Sequence, residues 1–236
     1  MTDPSGLVVV DKPGGMTSHD VVVRLRRLAG TRKVGHAGTL DPMATGVLVV
    51  GINRATRLLG HLTLTDKAYD ATVRLGQSTV TDDAEGDVVS SADAGDVDES
   101  AVTAALATLT GEIDQVPSAV SAVKVGGERA YKRARRGEQL EMPERIVTVS
   151  RFTQTWREPD PATPGLQRAG FEIECGSGTY VRSLIADLGD AYCLELRRTA
   201  IGPFAVADAI APPPPHGPRW ADPPLVELER ALALLP

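Results

Sequence analysis

The sequence predicts an α+β protein with a mixed, largely antiparallel sheet flanked by helices and loops. Two observations lead there. Strand-like runs and helical stretches are interspersed along the chain without the regular βαβ alternation of a parallel sheet. The 236 residues are 42% hydrophobic and 24% charged, a globular balance that excludes a wholly disordered or collagenous chain. The length suits one large domain, or one domain with a small appendage, and suffices for a sizeable core.

The elements follow in order. Leu7-Val8-Val9-Val10 reads as a buried strand that enters a turn at Asp11-Lys12-Pro13-Gly14-Gly15. Ser18 is placed to cap the next element, where Val21, Val22, Leu25 and Leu28 recur at helical spacing until Gly30. Arg24 and Arg27 occupy the opposite face, with Arg32 and Lys33 beyond the stop. Residues 34–46 are rich in glycine and small residues and have no period, so they read as a loop carried by the strand Val47–Val50. Residues 54–64 read as helical, Tyr69–Leu75 as an alternating strand, and the acidic segment 78–98 as an exposed loop or hairpin.

Asp98 is placed to cap a helix bearing Val102, Leu106 and Leu109, closed by Gly111. Pro117–Val125 reads as extended, Gly126-Gly127 as a turn and residues 128–136 as a basic helix. Arg145–Trp156 alternates as a long strand, and residues 157–167, with three prolines, read as a loop. Phe171–Cys175 is a strand, Gly176-Ser177-Gly178 turns it into a helix over Thr179–Gly189, and Leu194–Ile201 is the last strand. Residues 212–224 contain seven prolines and read as an extended linker rather than core, with an amphipathic helix over Leu225–Leu235. The expected division is therefore a domain over 1–210 and a linker with a short helix over 211–236.

Composition narrows the function classes. No apolar run reaches the ~18–20 residues of a membrane span. Met1–Gly6 lacks the basic and apolar stretches of a secretory signal. Cys175 and Cys193 read as reduced thiols, so a cytoplasmic location is expected. His19, His36, His61 and His216 are scattered without ligand spacing, so no metal is expected. The net charge of −6 hides strong segregation: residues 81–115 carry −10, whereas residues 1–80 carry +4 and residues 116–157 carry +5. A basic surface can therefore coexist with an acidic chain.

Asp41 stands out, between Gly38-Thr39-Leu40 and Pro42, five residues after His36. Asp-Pro is an ordinary turn pair. As chemistry, a lone carboxylate suits a covalent nucleophile or a base better than a two-acid glycosidase. Arg182, after Gly178-Thr179-Tyr180-Val181, is either a solvated helix residue or a partner that keeps a carboxylate ionised. Tyr69 is either strand packing or a stacking platform for a base. Lys124, Arg129, Lys132, Arg133, Arg135 and Arg136 surround Tyr131, as a solvated helix or as phosphate contacts. The glycine clusters match neither the P-loop nor the dinucleotide fingerprint, and no Ser-His-Asp or Cys-His signature occurs.

Three segments together resemble the bacterial TruB-type tRNA pseudouridine synthase family. They are Gly6–Ser18; Gly35-His36-Ala37-Gly38-Thr39-Leu40-Asp41-Pro42-Met43-Ala44-Thr45-Gly46; and Gly178–Leu184 with Asp187-Leu188-Gly189. Lys67-Ala68-Tyr69 and Pro117–Lys124 add secondary matches, and the resemblance spans about residues 6–204.

It implies isomerisation of the T-loop uridine at tRNA position 55, with Asp41 essential, Tyr69 stacking on the uracil and Arg182 pairing with Asp41. It also implies that His36 helps hold the flipped nucleotide, that Tyr180 lines the pocket and that the Leu196 backbone meets the uracil edge. Residues 117–145 resemble an RNA-clamping insertion, with Lys124, Arg129, Lys132, Arg133 and Arg136 as backbone contacts. Lys12 and Pro13 would support the Asp41 loop. The implied partner is the T-arm stem-loop of tRNA, bound by a monomer. No cofactor is implied, because the reaction gains and loses no atoms.

The sequence departs from the family in a short segment, Asp190–Glu195, before Leu196, and in the expected lack of a C-terminal RNA-binding domain. A non-catalytic tRNA-binding or folding chaperone on the same scaffold is the competing class, and a uracil-releasing glycosidase is the competing chemistry.

Overall fold

A computed structural model describes residues 5–235 apart from 96, 97, 119, 122, 135, 139, 217 and 222. The elements run β1 (Gly6–Lys12), α1 (Ser18–Ala29), β2 (Val34–Ala37), β3 (Thr45–Ile52), a 3-10 turn (Asn53–Leu58), α2 (Leu59–Leu64), β4 (Lys67–Leu75), β5 (Gln77–Thr79) and β6 (Val88–Ser91). They continue with α3 (Glu99–Thr108), β7 (Gly111–Gln115), β8 (Lys124–Val125), β9 (Glu128–Arg129), α4 (Ala130–Ala134), β10 (Arg145–Pro159) and β11 (Gln167–Cys175). The last are α5 (Val181–Ala186), β12 (Ala191–Ile201), β13 (Phe204–Ala205), β14 (Val226–Glu227) and α6 (Leu228–Leu234). The α+β class holds.

The chain divides into two compact units. One joins Met1–Tyr69 with Leu196–Pro236; the other is Asp70–Glu195. In the first, the strand order is β14-β1-β3-β12, and β2 also pairs with β3. β1 and β3 run antiparallel from Gly6↔Ile52 to Lys12↔Gly46. The other edge of β3 takes β2 antiparallel and Arg197-Arg198 of β12 in parallel.

Both faces of this sheet are covered, which explains why β1 and β3 read as unbroken apolar runs rather than alternating ones. Leu7, Val9, Val47 and Val49 pack with Leu58, Leu62 and Ala231 on one face. Val8, Val10, Leu48 and Val50 pack with Val21, Val22 and Leu25 of α1 on the other.

Two expectations are corrected in this unit. Thr17, not Ser18, caps α1: its hydroxyl accepts from the Asp20 amide at 3.1 Å, and the Asp20 carboxylate accepts from the Thr17 amide at 2.9 Å. The Thr17 hydroxyl also donates to the Asp20 carboxylate at 2.6 Å, and this bond, then that from the Thr17 amide, holds the Asp20 carboxyl below its usual range. Residues 34–37 are strand rather than loop, because β3 offers them an open edge.

The proline-rich tail also departs from a free linker. Arg24 donates to the Pro213 carbonyl at 3.1 Å, the Ile210 amide to Val9, and the Trp220 amide to Leu28. Trp220 and Leu225 pack on the α1 face, and Val226 pairs with Leu7. Proline cannot donate a backbone bond, but its carbonyl accepts, and arginines of α1 supply the donors.

In the second unit the order is β4-β11-β10-β7, with β10 antiparallel to both neighbours. Phe152 and Phe171 meet across β10 and β11 with ring centroids 5.4 Å apart. The acidic segment forms the β5–β6 hairpin, and Asp98 caps α3 through the Ser100 amide. Strand β7 was hidden, because its Gly-Glu-Ile-Asp-Gln sequence has a single apolar residue and none of the apolar alternation of a strand.

Candidate active site

The Asp41 loop is built from the first unit and held at three points. Lys12, 0% exposed, donates to the carbonyls of Met16 at 2.6 Å, Pro13 at 3.0 Å and Pro42 at 3.3 Å. The buried Ser18 hydroxyl donates to the Leu40 carbonyl at 3.1 Å and accepts from the Leu40 amide at 2.9 Å. The buried Arg198 donates to the Gly38 carbonyl at 3.1 Å and the Val47 carbonyl at 2.8 Å. The flanking carbonyls of Gly38, Leu40 and Pro42 are therefore all engaged, and the half-buried Asp41 sits in a preorganised turn. Gly46 closes the loop where only glycine fits: φ is +100° and an added Cβ would lie 2.1 Å from the Arg198 carbonyl oxygen.

Burial pushes the Lys12 ammonium down to about 8; the Asp41 charge opposes this, Arg198 reinforces it and Asp20 opposes it. The unfolded chain keeps the Lys12 proton up to its ordinary 10.5, so between those values the unfolded state binds more protons. Stability contributed through Lys12 must then rise with pH across that window. The urea midpoint of the wild type relative to Lys12→Met is expected to increase from pH 8 to 10. A pH-independent difference would contradict the assignment.

His36 is half-buried on β2, and its Nδ1 is buried without a hydrogen-bond partner among the described residues. Burial, then the charges of Arg198 and His19, lower its pKa against an opposing backbone bond at Gly38. The ring is therefore neutral at pH 7. Tyr69 is 7% exposed on β4, and Leu196 is buried with its carbonyl 3.4 Å from the Thr45 hydroxyl.

The second unit carries Tyr180 and Arg182 around α5. Gln115, 0% exposed, accepts from the Tyr180 amide at 2.8 Å and donates to its carbonyl at 3.1 Å. Arg145 lies over the Tyr180 ring at 5.3 Å. Arg182 is buried; it donates to Asp83 at 2.9 Å, to the Thr81 carbonyl at 2.6 Å and to the Val120 carbonyl at 3.1 Å. Asp83 is 4% exposed and is shaped by the Thr81 hydroxyl and the Glu85 amide. Beside it, Asp82 has a left-handed φ of +61°, and burial raises its pKa despite the Ser118 hydrogen bond and the Arg182 charge.

An exposed acidic loop was expected here, yet Asp83 is a buried partner of Arg182. Its place in an acidic run concealed that role. Gln115, Ser18 and Arg198 were likewise not singled out as site residues. Ser18 falls within the first quoted motif and Arg198 lies two residues from Leu196, whereas Gln115 carried no signal.

The basic segment is partly self-neutralised. Arg133 pairs with Glu138 at 2.6 Å, and Arg136 with both Glu128 and Glu138 at 2.8 Å. Exposed pairs of this kind are weak and screened by salt, so they can open to a phosphate. Arg129 and Lys132 are exposed, Lys124 forms the short β8, and Arg135 lies outside the described residues.

No described helix is long and apolar enough to cross a membrane. Among the described residues no cluster of His, Cys, Asp and Glu could hold a metal ion.

Residues 26–181 match the TruB family pseudouridylate synthase (N terminal domain) model, a span that contains His36, Asp41, Tyr69 and Tyr180. The tRNA pseudouridine synthase B of Arthrobacter sp. (strain FB24) is 60% identical over 210 residues, covering 87% of this chain and 68% of that protein. That of Corynebacterium efficiens is 58% identical, covering 89% and 72%. Among solved structures, a chain of a Cbf5-Nop10-Gar1 complex is 30% identical with a TM-score of 0.60. A chain of an H/ACA RNP bound to a substrate RNA containing 2'-deoxyuridine is 28% identical with a TM-score of 0.57. This chain covers 52% and 50% of those two, about half their length. With two thirds of its length under the family model and relatives near 60% identity, the chain belongs to the TruB family of pseudouridylate synthases.

Proposed function

We propose that the chain isomerises the T-loop uridine of tRNA, at position 55, to pseudouridine. The observation that carries this is the half-buried Asp41 on a loop whose backbone Lys12, Ser18 and Arg198 fix, inside the span of the family model. The names of the relatives support tRNA as the substrate. The rest of the site is assigned by resemblance.

The target base must leave its stack before a side chain can reach the sugar, at a cost of a few kcal/mol. Stacking on Tyr69 and contacts from the neutral His36 offset that cost. The C1′–N1 bond breaks with Asp41 acting at the sugar, as nucleophile at C1′ or as base toward the C2′ proton. The uracil turns, C1′ bonds to C5, the C5 proton leaves and N1 gains a proton. Atoms and electrons balance without a cofactor. A primary isotope effect with 2′-deuterated uridine identifies the base route.

Arg182 supplies the counter-charge that keeps Asp41 ionised, Tyr180 lines the pocket and the Leu196 backbone meets the uracil edge. Lys124, Arg129, Lys132, Arg133 and Arg136 contact the T-arm backbone. The working form is one chain on one tRNA, in the cytoplasm.

The test is nucleoside analysis of an unmodified tRNA transcript after incubation with the protein. One pseudouridine per tRNA, mapped to the T loop and without free uracil, is expected. Free uracil would assign a glycosidase, and tight binding without conversion would assign a chaperone.

A further inference from the structure

The C-terminal end of α1 carries a feature that the proposed chemistry does not use. Val23, Arg26, Arg27, Gly30, Thr31, Arg32 and Arg219 line an open cleft of about 900 Å³. Four of these residues are arginines and none is acidic. No described carboxylate forms an ion pair with any of the four. Arg27, Arg32 and Arg219 are exposed, and the buried Nε of Arg26 has no hydrogen-bond partner among the described residues.

The fold holds this cluster together. Arg26 donates to the Val34 carbonyl at 3.1 Å and Arg27 to the Pro215 carbonyl at 2.6 Å. Arg27 also lies 2.9 Å from His216 Nδ1. Gly30 has φ +66°, and an added Cβ there would meet the Arg219 guanidinium at 2.9 Å, so this glycine also admits Arg219. The proline-rich tail thus brings a fourth cation to the three around the end of α1.

Helix-dipole stabilisation accounts for a cation or two near a helix C-terminus, but the effect fades within the last turn. Four guanidiniums around one open cleft repel each other and raise a positive potential that a polyanion would relieve.

The occupant is identified by position as well as charge. Arg32 is four residues from His36, so their Cα atoms are at most about 14 Å apart. A nucleic-acid strand that reaches His36 passes within a few nucleotides of the cleft.

We propose that this four-arginine cleft binds backbone phosphates of the same RNA outside the base pocket. The inference rests on the tRNA reading above. The recognition is of phosphate by guanidinium forks, which carries no base sequence.

The test compares tRNA binding by the wild type, by Arg27→Ala/Arg32→Ala/Arg219→Ala and by the matching triple lysine variant, each across 50–300 mM salt. Thermal melts establish that each variant is folded. The alanine variant is expected to lower the slope of log K against log salt by about 2, whereas the lysine variant keeps most of it. An equal slope for the alanine variant, in a wild type that binds and isomerises tRNA, would overturn the cleft assignment and leave the activity standing. A wild type that does not bind tRNA would overturn both.

Discussion

Asp41→Asn is expected to reduce turnover by at least about 10³-fold while leaving the Kd for a T-arm stem-loop within about tenfold. The amide is nearly isosteric with the carboxylate, and the carbonyls pinned by Ser18, Lys12 and Arg198 are backbone groups that the change leaves in place. The loop should therefore keep its shape and lose only the charge. Neither nucleophilic attack nor proton abstraction survives that loss, and general-base or nucleophile deletions commonly cost this much. Single-turnover kinetics beside filter binding separates the two quantities. Retained turnover would remove Asp41 from the chemistry, and a collapse in binding would make it a structural residue.

The second large effect concerns Arg182 and Asp83, each with a 6% exposed side chain and joined at 2.9 Å. Removing one partner of a buried pair strands the other, at a cost of about 3–5 kcal/mol. Arg182→Ala and Asp83→Ala should each lower the unfolding free energy extrapolated from urea melts by an amount of that order. An apolar double replacement, Arg182→Met with Asp83→Leu, should recover much of the stability, because no buried charge remains. It should not recover turnover, because the counter-charge proposed for Asp41 is gone. A double variant that is stable and active would assign the pair a purely structural role.

Much of this was legible in the sequence for physical reasons. β1 and α1 were readable because burial on both faces makes Leu7–Val10 an unbroken apolar run, and burial on one face imposes a helical period on Val21, Val22, Leu25 and Leu28. Glycines at 30, 38 and 46 marked backbone that other residues adopt only with strain. The Gly-His-x-Gly-x-Leu-Asp-Pro string marked the Asp41 loop because it combines that backbone with a reactive side chain.

What stayed hidden depends on distant pairing. β2 and β7 exist because neighbouring strands offer them hydrogen bonds, not because their own sequences favour extension. Asp83 looked solvated because an acidic run gives no sign of which member is buried. The proline tail looked like a linker because composition cannot reveal that Arg24 and Arg27 wait to bond its carbonyls.

The most direct measurement uses a T-arm stem-loop labelled with tritium at the uridine C5. Isomerisation must expel that hydrogen when C5 bonds to the sugar, whereas binding alone or release of uracil need not. One tritium released to water per stem-loop, dependent on Asp41 and without free uracil, is the predicted result. Tight binding with the tritium retained would contradict the account.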